Sequence, residues 1–133
     1  MGYRSDVVIT IGFKTQEELD TFLAPRLLSS PLREWREYFS RVVDAPNCVM
    51  FQLEDVKWYE EDPYVQAVID LCRESVGCGG AYKSTRLGES DSDIEVEEDY
   101  GDYKLYEGLY QLTWVKRIIR TPSTHELTFG EYQ

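Results

Sequence analysis

Between Asp91 and Asp99 every second residue is a carboxylate: Asp91, Asp93, Glu95, Glu97 and Asp99. A period of two belongs to the β-strand, in which alternate side chains point to one face. The opposite face reads Ser92, Ile94, Val96, Glu98 and Tyr100, apolar at its middle. The pattern predicts an amphipathic strand that docks Ile94 and Val96 on a core and holds five carboxylates in water. Neighbours on such a face stand about 6.6–6.8 Å apart, close to the spacing of successive phosphates on a nucleic-acid strand. Like charges so aligned cost the strand roughly a few tenths of a kcal/mol per neighbour. Mixed signs would serve solubility better.

The charge is local. Residues 89 to 102 hold eight acids (Glu89, Asp91, Asp93, Glu95, Glu97, Glu98, Asp99 and Asp102) and no Lys or Arg. They carry −8 of the formal −11, and the other 119 residues sum to −3. A chain of this charge is repelled by bare phosphate backbones and anionic membranes. The expected partner is the basic, nucleic-acid-binding cleft of another protein, with no direct nucleic-acid or membrane contact. Two other readings of the segment compete. One is a solvated, edge-protecting strand or a disordered acidic loop. The other is a divalent-cation site at Asp91, Asp93 and Glu95, but the calcium-loop match lacks Gly at the sixth position and Glu at the twelfth. No metal and no cofactor is expected.

The 133 residues suit one α+β domain spanning the whole chain. Val7, Ile9, Ile11 and Phe13 alternate with Val8, Thr10 and Gly12, a strand with at least one buried face. Thr15 and Glu18 form a capping box, and Pro25 ends or kinks the helix that follows. Ser30-Pro31 opens a second helical stretch, with Ser30 as its cap and Leu32, Trp35, Tyr38, Phe39 and Val42 as its apolar stripe. Residues 44–47 read as a turn and Cys48 to Tyr59 as a strand. Asp62-Pro63 starts a helix that Gly77 closes. Strands follow at Ala81 to Leu87, Asp91 to Asp99 and Leu109 to Arg120. The pattern fades into a weakly structured tail from about Pro122. This order predicts a mostly antiparallel sheet of about five strands, with two to three helices on one face and a ferredoxin-like first half.

Chemistry is hard to build from these residues. His125 is the only histidine and sits in the tail. Gly77-Cys78-Gly79-Gly80 lacks the Lys-Ser/Thr of a phosphate loop, and no serine has a nucleophile-elbow context. Cys48, Cys72 and Cys78 have no zinc-like spacing. Cys72 falls on an apolar helix face, and Cys78 is free to be exposed. A reducing, cytoplasmic setting is expected; Arg4, Asp6 and Lys14 interrupt any leader-like start, and no run reaches the ~18–20 apolar residues of a membrane span. Trp58 and Tyr59, with Tyr82 and Arg86, form a candidate secondary surface, because aromatic side chains at strand ends are favoured anchors.

Met1-Gly2-Tyr3-Arg4-Ser5-Asp6-Val7, Val56-Lys57-Trp58-Tyr59 and Arg86-Leu87-Gly88-Glu89 leading to Asp93-Ile94-Glu95 together resemble a family of small acidic bacteriophage proteins. The resemblance supplies no catalytic residue. It implies a setting in which small proteins bind and disable host defence machinery, as anti-CRISPR and DNA-mimicking anti-restriction proteins do. The expectation is therefore a non-enzymatic inhibitor that offers Asp91, Asp93, Glu95, Glu97 and Asp99 to a basic channel. Its rivals are a small-ligand or signal-nucleotide binder built on Tyr3, Arg4, Trp58, Tyr82 and Arg86, a metal-dependent enzyme using Asp91, Asp93 and Glu95, and an assembly protein. The partner's identity and the oligomeric state are left open by the sequence.

Overall fold

The computed structural model describes residues 2–90, 92–105, 111–113 and 118–127. The first strand, β1 (Ser5–Gly12), leads into α1 (Gln16–Arg26). Thr15 caps α1 by accepting the Glu18 N–H at 3.1 Å, and Pro25 sits one residue before the end of the helix. A short 3-10 helix, Leu32–Tyr38, then runs straight into β2 (Phe39–Val42) and its hairpin partner β3 (Ala45–Val56). Asp62 caps α2 (Pro63–Gly77) by accepting the Tyr64 N–H at 2.8 Å. After it come β4 (Ala81–Leu87), β5 (Ile94–Tyr100), β6 (Gln111–Thr113), β7 (Ile118–Arg120) and β8 (Thr124–Glu126).

Three expectations are corrected. The stripe from Leu32 to Val42 is not one helix, because Phe39 and Arg41 are claimed by pairing with Phe51 and Val49 of β3. The sheet overrides the helical spacing there. Ser30 does not cap; its hydroxyl donates to the Glu34 carboxylate at 2.8 Å instead. The span Leu109 to Arg120 is not one strand, since β6 and β7 pair antiparallel with each other and the chain reverses between them. Leu109, Tyr110 and Trp114 of that expected strand lie outside the described residues. Past the fading of the sequence pattern, β8 still adds to the sheet beside β2.

The main sheet is ordered β5-β4-β1-β3-β2-β8, and every pairing in it is antiparallel. Its β4-β1-β3-β2 centre, with a helix in each of two crossovers, is the ferredoxin-like arrangement. Val7, Ile9 and Ile11 face the helices together with Leu19, Leu23, Leu71 and Phe51. Val8 faces the other way, with Val42, Cys48 and Met50, under Leu105. Both faces of β1 are thus buried. Phe51 is fully buried at the centre of an aromatic group, its ring 4.9 Å from Phe39, 5.6 Å from Trp35 and 5.9 Å from Trp58. Buried Arg41 is held by Asp20 of α1 at 2.8 Å and by the Pro46 carbonyl at 2.7 Å, which fastens α1 to the β2–β3 hairpin. Among the described residues no helix is long and apolar enough to cross a membrane.

Phe51 fills the space between the 3-10 helix and the sheet, so Phe51→Ala should cost about 3–5 kcal/mol. Urea unfolding followed by tryptophan fluorescence checks this, since Trp35 and Trp58 both report on the same site.

Candidate functional site

An acidic strand exists, but it begins at Ile94 and not at Asp91, so Asp93 lies before it, and its faces are reversed relative to the expectation. Val7, Ile9 and Ile11 pair with Arg86, Ser84 and Tyr82, so these β4 residues share the helix-side face. Arg86, Ser84 and Tyr82 in turn oppose Glu95, Glu97 and Asp99. The carboxylates therefore lie on the helix side, at the margin of the layer. Val96 lies on the opposite face, 53% exposed, and Ile94 is only half-buried. The cause is local electrostatics. Arg86 and the Tyr82 hydroxyl lie on the helix face and attract carboxylates, and that attraction sets the register where burial of one isoleucine and one valine would not.

Arg86 organises the site. Its guanidinium donates to both oxygens of Asp93, at 2.7 and 3.1 Å, to the Ser5 hydroxyl at 2.9 Å, and through Nε to Glu95 at 3.2 Å. Nη2 also bonds Glu95. Burial opposes its charge, but the bonds to Asp93 and Glu95 outweigh that and raise its pKa. Tyr3 closes the network. Its hydroxyl donates to Asp93 at 2.6 Å and accepts the Ser90 N–H at 3.0 Å, while its backbone N–H donates to the Tyr59 hydroxyl at 2.8 Å. Asp55, in the left-handed region with φ 51°, sits near the end of β3 where its register with β1 shifts. Asp6 accepts its N–H at 2.9 Å and Arg4 donates to its carbonyl at 2.8 Å. Tyr3, Tyr59, Arg86 and Asp93 are thus one spatial unit.

That unit borders a cavity of about 730 Å³ lined by Tyr3, Trp58, Tyr59, Arg86 and the start of β5. Five carboxylates, Glu60, Glu61, Asp93, Glu95 and Glu97, face two arginines, Arg73 and Arg86. The cavity is net anionic with aromatic walls, a setting suited to ammonium or guanidinium groups. The Glu97 carboxylate accepts the Tyr82 hydroxyl at 2.6 Å. Of the other expected residues, Glu89, Glu98 and Asp99 are exposed. Asp102 stands exposed near Gly79 at the far end of β5. Asp91 lies outside the described residues. Arg4 braces Asp55 and does not line the cavity. Asp93 and Glu95 are engaged by one guanidinium, and among the described residues no group of three His, Cys, Asp or Glu is placed to hold a metal. Sequence reasoning missed Ile69 and Arg73. Their spacing of four on α2 places them on one helix face, and that signal could have found them. Comparison with protein-family models, curated proteins and solved structures finds no match to the chain.

Two outcomes are expected. A Cβ on Gly88 would collide with the Asp93 carboxylate and the Tyr3 hydroxyl, whereas one on Gly77 meets nothing within 4 Å. Gly88→Ala should cost about 1–3 kcal/mol and Gly77→Ala much less, as thermal melts of the two variants would show. The second concerns alkali. Burial pushes the Cys72 thiol up from 9.0 to about 12 and Cys48 to about 11, and burial with the Glu97 hydrogen bond raises Tyr82. Each group holds its proton more tightly folded than unfolded, so the stability it contributes is complete below pH 9.0 and declines between pH 9.0 and about 12. Melting temperatures measured from pH 7 upward should hold level and then fall across that window.

Proposed function

We propose that the chain is a non-enzymatic binding protein that acts by occlusion. Its acidic edge engages the Lys- and Arg-lined channel of a host nucleic-acid-handling defence complex and keeps nucleic acid out. The observation that carries this reading is that Glu97 and Asp99 on one face of an edge strand and Glu98 on the other stand exposed, without an ion pair to any described residue. Such an array presents closely spaced charge to a basic surface and favours steered, salt-sensitive association. Asp93 and Glu95 have a different part in it. Bound to Arg86, they fix the strand that displays the others. The resemblance to small bacteriophage proteins supports a defence complex as the target and the host cytoplasm as the place of action.

The cavity favours a second reading, a small-ligand binder. Its carboxylates outnumber its arginines, so the ligand would be an organic cation and not a nucleotide.

Capture from host lysate at low and high salt tests the first reading, with a variant combining Glu97→Gln, Glu98→Gln and Asp99→Asn alongside. The parent should retain a nucleic-acid-binding protein at low salt and release it at high salt. The neutralised variant should bind it roughly tenfold more weakly or worse, and nucleic acid should compete with the parent. Retention that ignores both salt and the three substitutions would overturn the reading. A melting shift with organic cations that Glu98→Gln and Asp99→Asn together leave unchanged would favour the cavity, whose lining includes neither residue.

A further inference from the structure

The ladder between β4 and β5 fixes which backbone groups of β5 are spoken for. Gly88 N–H donates to the Asp93 carbonyl at 2.8 Å at one end, and Gly101 N–H donates to the Gly80 carbonyl at 2.8 Å at the other. In an antiparallel pair such residues alternate, so Glu95, Glu97 and Asp99 turn their N–H and C=O groups inward to β4. Ile94, Val96, Glu98 and Tyr100 turn theirs outward. The Ile94 N–H is taken by the Ser92 carbonyl and the Tyr100 N–H by the Asp99 carboxylate. Val96 and Glu98 are left with outward N–H groups that have no partner among the described residues, on a strand that ends the described sheet.

The geometry points to strand addition. A partner segment in extended conformation pairs antiparallel with β5, as every neighbour in this sheet does, through Val96 and Glu98. This rests on the proposed binding of a basic partner and names its form: a segment in which Lys or Arg alternates with apolar residues. The two faces of β5 dictate that alternation. Basic side chains would stand opposite Glu95, Glu97 and Asp99, and apolar ones opposite Ile94 and exposed Val96. A second copy of this chain is not the occupant, because β5 against β5 would set acid against acid along the whole strand.

The test uses the intact protein and short synthetic peptides, read by fluorescence anisotropy. One peptide alternates Arg with Val. Another has the same composition with its Arg residues in a block. Two more repeat the alternating peptide with N-methyl groups on either the Val or the Arg backbone amides. In an antiparallel addition the Val residues face Val96 and supply the paired amides. Methylation of Val amides should therefore lower affinity roughly tenfold or more, and methylation of Arg amides should be tolerated. On the protein side, Glu98→Pro removes an outward N–H and one charge, whereas Glu98→Gln removes the charge alone. The proline variant should bind the alternating peptide roughly tenfold more weakly than the glutamine variant. Equal, salt-sensitive binding of all four peptides would overturn strand addition and leave the acidic-surface reading standing. No binding of any arginine peptide would overturn both. Sedimentation showing a dimer at neutral pH that Glu98→Pro abolishes would place a second copy on the edge and overturn the choice of partner.

Discussion

One guanidinium governs this molecule's distinctive region. Arg86 reaches the start of β1 through Ser5 and the turn and strand of β5 through Asp93 and Glu95. Tyr3 and Tyr59 extend the same network to the end of β3. An arginine suits the post because its planar fork can serve two carboxylates and a hydroxyl at once and never loses its charge. Its side chain is 16% exposed, so water competes weakly for those bonds. Charge repulsion along β5 is thereby offset at its source. Without the clamp, a strand that buries almost nothing would keep only its ladder to β4 and the Tyr82–Glu97 hydrogen bond.

The ferredoxin-like centre was legible in the sequence because its signals are local and mutually consistent. The alternation of Val7 to Phe13, the Thr15 and Asp62 caps and the run from Ala81 to Leu87 each point to one element, and each element forms. Misreadings arose where tertiary partners decide. Phe39 and Val42 fit a helical stripe as well as a strand, and only β3 arbitrates. The Leu109–Arg120 span carries no Gly, Pro, Asn or Asp to signal the antiparallel pairing of β6 with β7.

The acidic segment is a finer case. Its period and strand identity could be read directly, but its orientation could not. The usual argument sends apolar side chains inward, which would bury Ile94 and Val96. That argument compares only the two faces of one strand. It omits the neighbour's side chains, and here the neighbour offers Arg86 and Tyr82 on the helix side. Polar complementarity across one ladder outweighs a small apolar gain, of order 25 cal/mol per Å² for whatever area those two residues could hide. Of the pocket expected from Tyr3, Arg4, Trp58, Tyr82 and Arg86, the cavity keeps Tyr3, Trp58 and Arg86, while Arg4 braces Asp55 and Tyr82 is buried against Glu97.

The position of β5 outside the β4-β1-β3-β2 centre bears on what can be substituted. Its outward-turned residues from Val96 to Tyr100 are exposed, so substitutions there disturb no packed core. The stabilising centre and the exposed strand are separate parts of one short chain. The charges and apolar contacts from Val96 to Tyr100 can be rewritten while Arg86 and its ligands stay in place. An exposed edge of this kind can change its chemistry without a change of fold.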